Sequence, residues 1–121
     1  MKRIFFIKPL IEKLRSENPP KVTFRTRRKQ GLYMVCSGGR FHPKEENLII
    51  NVWSSNIVYT ENLTDQDAQD AGIDDLKELL ELFRKWYGEV PVKMYKNCFV
   101  VVESRETQAL LQRKVKVGCL T

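Results

Sequence analysis

Residues 21–31 read KVTFRTRRKQG, five cations in eleven residues with the Thr23 hydroxyl among them. In an extended chain, successive side chains alternate between faces. Lys21, Thr23, Arg25 and Arg27 then share one face, and Val22 and Phe24 share the other. The planar guanidinium fork grips phosphate bidentately and stacks on bases. Lys21, Arg25, Arg27 and Arg28 are therefore candidates to line or rim an anion-binding cleft, with Lys29 and Arg40 adding to its field. Phe41, Trp53 and Tyr33 are candidate stacking partners for unpaired bases, although a core position is preferred for Trp53 and Tyr33. The competing reading is edge protection, since natural sheets place cations on an exposed edge to repel other strands. Three arginines within residues 25–28 exceed that task, which favours binding. Gly38-Gly39-Arg40 would let backbone approach a phosphate, but it lacks the ending of a P-loop and equally suits a turn between strands.

Other chemistry is sparse. Cys36, Cys98 and Cys119 are widely spaced, form no CxxC pair, and His42 is the only histidine. Zinc needs four ligands at short spacings, so reduced, buried thiols are expected and no metal site or cofactor is assigned. The acidic run over 61–81 reads as the solvated face of two helices and as a candidate docking face for a protein partner.

A chain of 121 residues suits one domain, and its net charge of +6 is unevenly laid out. Residues 1–60 carry net +8, 61–90 net −6 and 91–121 net +4. One positive and one negative side are implied, and a positive face attracts anionic partners, nucleic acid foremost. No apolar run approaches the roughly 20 residues of a membrane span. The start, MKRIFFIKPLIEKL, is basic and then apolar, but Lys8 and Glu12 interrupt it and no small-residue cleavage site follows, so a cytoplasmic location without membrane contact is expected.

The elements that must position these residues follow from periodicity. Ile4–Ile7 reads as a strand, and Leu10, Ile11 and Leu14 as a helix with Pro9 in its first turn, stopped at Asn18-Pro19-Pro20. The cationic strand comes next, then a strand over Leu32–Cys36, a loop over Arg40–Asn47 and a long β run over Leu48–Tyr59, bulged or bent near Ser54-Ser55-Asn56. Thr64 and Asp67 have the spacing of a capping box. A second helix from about Asp74 to Gly88 places Leu76, Leu79, Leu80, Phe83 and Tyr87 on one stripe. Asn97–Val102 closes the series as a strand. This order predicts an α+β fold, a small mixed sheet or open barrel covered by helices.

Three blocks carry a family resemblance. They are Leu63-Thr64-Asp65-Gln66-Asp67-Ala68, then Gly72-Ile73, then a helix ending Phe83-Arg84-Lys85-Trp86-Tyr87-Gly88. Together they resemble the middle of an ASCH (activating signal cointegrator homology) domain. The segment from Ile4 through Lys8-Pro9 to Thr23-x-Arg25 is similar to that family's strand, helix and Thr-x-Arg strand. The resemblance implies a small PUA-like mixed β-barrel flanked by helices over residues 1–104, with 105–121 as a C-terminal extension. It implies a cleft beside the Lys21–Arg28 strand and a ligand that is RNA, another nucleic acid or nucleotide-like. Some members are amidohydrolases of acetylated cytidine that use a lysine, a threonine and a glutamate. The threonine falls on Thr23, but the lysine and glutamate positions fall on Pro20 and Ala71, which cannot move protons. Lys21 and Asp70 adjoin those gaps. The expectation is an RNA-binding module, and the alternative is a small hydrolase or ribonuclease with Thr23 as nucleophile and Lys21 as its base.

Overall fold

The computed structural model describes residues 1–102; the expected extension over 105–121 lies outside the described residues. The elements run β1 (Lys2–Phe5), α1 (Lys8–Leu14), β2 (Val22–Arg25), β3 (Gly31–Ser37), β4 (Lys44–Tyr59), a 3-10 turn (Thr60–Asn62), α2 (Asp65–Asp70), α3 (Leu76–Tyr87) and β5 (Lys93–Val102). The described chain is thus a small mixed α/β protein around one five-stranded sheet of order β1-β3-β4-β5-β2. β1 pairs parallel with β3, and the other neighbours are antiparallel.

β4 is the spine of the sheet. It pairs with β3 through Lys44–Val52 and with β5 through Ile49–Tyr59. Its start at Lys44 takes in part of the segment expected to be a loop. The pairing slips between Val52 and Ser54, leaving Trp53 as the extra residue of a bulge. Alternation with the core residues Ile50 and Val52 puts Trp53 on the outer face, where it is 67% exposed rather than in the core.

β1 and β2 are the two edges, and no ladder joins them, so the sheet is open. They nevertheless approach closely, because Arg25 of β2 donates from Nη2 to the Phe5 carbonyl of β1 at 2.7 Å. The sheet curls far enough for one side chain to span its edges.

The main core fills the concave side. Ile4, Phe6, Val22, Phe24, Ile50, Val52, Met94 and Phe99 meet α1 through Leu10, Ile11 and Leu14, and α3 through Leu79 and Phe83. Phe24 and Phe83 pack edge-on with centroids 6.3 Å apart, a favoured aromatic geometry that fixes α3 over β2. Met34, Cys36 and Ile49 form a second, smaller cluster.

The helix starts follow local chemistry. Thr64 accepts from the Asp67 amide while Asp67 accepts from the Thr64 amide, the expected capping box. Asp75 caps α3 by accepting from Glu78, and Asp65 reaches across to accept from the Leu76 amide at 2.9 Å. Much of the acidic run therefore holds helix ends. Gly88 ends α3 at φ 80°, as a left-handed terminator should. Among the described residues no helix is long and apolar enough to cross a membrane.

Candidate anion-binding cleft

The cationic stretch does not run as one strand. β2 ends at Arg25, and the chain bends over the next residues until β3 begins at Gly31. A buried polar residue causes the change of course. Asn97 is fully buried on β5, and its Oδ1 accepts from the Lys29 amide at 3.1 Å and from Ser55 Oγ at 2.6 Å. Pulling Lys29 onto β5 carries Arg27 and Arg28 out into solvent. The expected four-residue polar face of Lys21, Thr23, Arg25 and Arg27 thus shrinks to Thr23 and Arg25.

Those two meet at a cleft of about 450 Å³ between the ends of β1 and β2, the Ser37–Gly39 corner and α3. Thr23 is only 7% exposed. Arg25 donates from Nε to Thr23 Oγ1 at 3.0 Å and from Nη2 to the Phe5 carbonyl, while its guanidinium lies over the Phe6 ring, 4.9 Å from the centroid. Its side chain is thereby held in one pose before any ligand arrives. Burial pushes its pKa down from the ordinary arginine value, against a smaller opposite effect of the Tyr87 hydroxyl. Arginine still keeps its proton in proteins. No carboxylate pairs with Arg25 among the described residues, whose ion pairs are Arg3–Glu45, Arg15–Glu46 and Lys96–Asp67. Its Nη1 makes no hydrogen bond among those residues, yet no buried polar atom there is left unsatisfied, so Nη1 keeps access to the cleft. A half-buried cation with no counter-charge among the described residues carries a desolvation cost, and an anion placed against it recovers part of that cost.

The other candidates are spread around this point. Arg27 and Arg28 are exposed just beyond β2, and Arg40 is exposed just beyond the cleft-lining Gly39. Lys29 is half-buried, with Nζ 5.7 Å from the Tyr33 ring centroid. Its pKa is lowered by burial and by repulsion from Arg25, Arg27 and Lys2, against a raising effect of Tyr33. Lys21 is exposed and lines a different groove, with Pro20, Gln69 and Asp70. Asp70 accepts from the Lys21 amide through its carbonyl and from Gln66 through its carboxylate. Ala71 lines the Thr23 cleft, whereas Pro20, Lys21 and Asp70 do not. Neither residue adjoining an empty family position therefore faces Thr23.

Among the candidate stacking residues, Tyr33 is buried, its hydroxyl accepting from the Gln30 amide, and Trp53 stands on the β4 bulge. Phe41 is 85% exposed in the loop beyond Gly39, beside Arg40. The aromatics that line the cleft are Phe5, Phe6, Phe24, Phe83, Trp86 and Tyr87, and the lysine at its edge is Lys8. Sequence reasoning missed this set. Its one signal was Trp86, an indole at the border of the α3 stripe seven residues after Leu79; the structure leaves it 43% exposed. Among the described residues no group of His, Cys, Asp and Glu is placed to hold a metal ion.

Compared with protein-family models, with curated proteins and with solved structures, the chain matches none of them.

Proposed function

We propose that the chain is an RNA-binding module of the ASCH, PUA-like kind, which holds one backbone phosphate of a single strand against Arg25. The observation that carries this reading is the pre-positioned, half-buried guanidinium, unpaired among the described residues, on the wall of an aromatic cleft. A phosphodiester brings one negative charge, which matches one guanidinium. The adjoining base stacks on Trp86 or Tyr87, contacts that tolerate any base because every base has a π-face. Arg27, Arg28, Arg40 and Lys8 add exposed positive charge around the mouth and meet neighbouring phosphates. The curled sheet, with its edges bridged by Arg25, supports the PUA-like barrel that the Thr-x-Arg resemblance implies.

The hydrolase alternative has less support, since its base, Lys21, lines another groove and Ala71 leaves the cleft without a carboxylate. Filter retention of a short single-stranded RNA at low salt tests the proposal. Wild type is expected to retain it, and Arg25→Met to weaken retention by at least about tenfold, the value of a charge-assisted hydrogen bond. Retention unchanged in Arg25→Met, or no retention by wild type, refutes the reading.

A further inference from the structure

The cleft is lined by an unusual choice of polar groups. Among the described residues its polar side chains are Lys8, Thr23, Arg25, Ser37, Trp86 and Tyr87, without one Asp, Glu, Asn, Gln or His. Thr23 Oγ1 accepts from Arg25, so its own proton is free to be donated. Arg25 offers the two N–H groups of Nη1. Ser37 is buried and already donates to Glu46 at 2.8 Å. Every polar side chain of the lining can thus donate, and none carries a negative charge; they are set among Phe6, Phe24, Ile73, Leu79 and Phe83. Amino or ring N–H groups on a base edge would find hydroxyl oxygens there but no carboxylate, amide or imidazole acceptor among the described residues, and an unpaired polar group in such a site costs affinity. The complement is a molecule with a flat apolar body and one head that only accepts hydrogen bonds and carries one charge. The cavity size falls within the roughly 300–1,000 Å³ of small-molecule sites.

We infer that the cleft is also a small-molecule site in its own right, for aromatic monocarboxylates, which seat the carboxylate on Arg25 Nη1 and Thr23 and the ring against the apolar wall. A planar carboxylate matches the planar guanidinium, and its single charge matches the half-buried Arg25 cation. Such a ligand occupies the position proposed for the phosphate and therefore displaces RNA. The displacement rests on the RNA-binding reading, whereas the small-molecule binding does not.

The probes are 3-phenylpropionate and its neutral isostere 3-phenylpropionamide, titrated against the full chain by calorimetry. Fluorescence is followed in a Trp53→Phe background, which leaves Trp86 as the sole indole, since the chain has two tryptophans. The acid is expected to bind and to change Trp86 emission, with the amide weaker by about 10- to 100-fold. Arg25→Met should reduce acid binding by a similar factor and leave amide binding unchanged. The acid–amide comparison is made on chain with Arg25 intact, so it decides the matter even if Arg25→Met fails to fold. Equal affinity of acid and amide, or no response to the acid at millimolar concentration, overturns the inference. Acid binding without RNA retention keeps the inference and removes the RNA reading. RNA retention without acid binding does the reverse.

Discussion

Arg25 is where the chemistry concentrates. Its Nε and one N–H of Nη2 are spent on Thr23 and Phe5, and Nη1 with the second Nη2 N–H makes no hydrogen bond among the described residues. This division of labour needs a fork, and a lysine ammonium cannot reproduce it. Arg25→Lys is therefore expected to behave nearly as badly as Arg25→Met, with ligand affinity down by about tenfold or more despite the conserved charge. Calorimetric titration of both variants checks this; affinity kept within twofold in Arg25→Lys would mean that charge alone matters. Asn97 is the second decisive residue. Removing its amide leaves the Lys29 N–H without a partner, so Asn97→Ala should lose about 1–3 kcal/mol in urea unfolding. It should also free the segment carrying Arg27 and Arg28. The pairing of Thr23 with Arg25 was legible from strand alternation. The departure of Arg27 from that face was not, because it depends on Asn97, far away in sequence, and no local pattern announces that interaction.

At the scale of elements, the chain's own punctuation was a good guide. The order of strands and helices, the capping box at Thr64 and the Gly88 terminator all follow from nearest-neighbour chemistry. The same local forces make the acidic run sensitive to pH. Burial alone would raise the Asp67 pKa, but hydrogen bonds from the Thr64 amide, Lys96 and the Thr64 hydroxyl outweigh it and leave it lowered. The folded state then favours the carboxylate. That stabilisation is complete above the unfolded value of about 3.9 and disappears as pH falls through the folded one. Asp67→Asn should accordingly be less stable than wild type by about 0.5–2 kcal/mol at neutral pH, and chemical denaturation in acid should show the gap closing. A gap independent of pH would dissociate Asp67's charge from the cap. The turn between α2 and α3 is equally constrained. Gly72 sits at φ 82°, and a Cβ there would lie 2.8 Å from Pro20 Cγ and 2.9 Å from Leu10 Cδ2. Gly72→Ala is expected to cost about 1–3 kcal/mol, read as a lowered melting temperature. The irregularity was expected as a bulge or bend at Ser54-Ser55-Asn56 and falls at Trp53, one residue earlier, since the position of a register slip is a property of two strands rather than one.

Across the whole molecule, the cationic stretch begins on an edge strand, as the edge reading requires. β2 is an edge strand, and Arg25 occupies the gap to the opposite edge. A guanidinium placed there guards the edge and, through Nη1, faces the cleft. The aromatic lining was not legible because it draws on β1, β2 and α3, segments that only the curl of the sheet brings together. In the proposed RNA complex the exposed arginines act at longer range. Removing one cation that neutralises a phosphate of a single strand should lower the slope of log affinity against log salt by about 0.7. Arg27→Ala and Arg28→Ala should therefore flatten the salt dependence of RNA binding without abolishing it, as read from filter retention across a salt series.

The two tryptophans give the central claim its most direct test. Trp86 lines the cleft, whereas Trp53 stands on the β4 bulge outside it. In a ¹H–¹⁵N spectrum recorded during titration with a short single-stranded RNA, the Arg25 Nε and Trp86 Nε1 resonances should shift together and saturate together, with Trp53 Nε1 unmoved. Shifts at Trp53 with Arg25 and Trp86 silent would place the interface on the sheet instead and contradict the account.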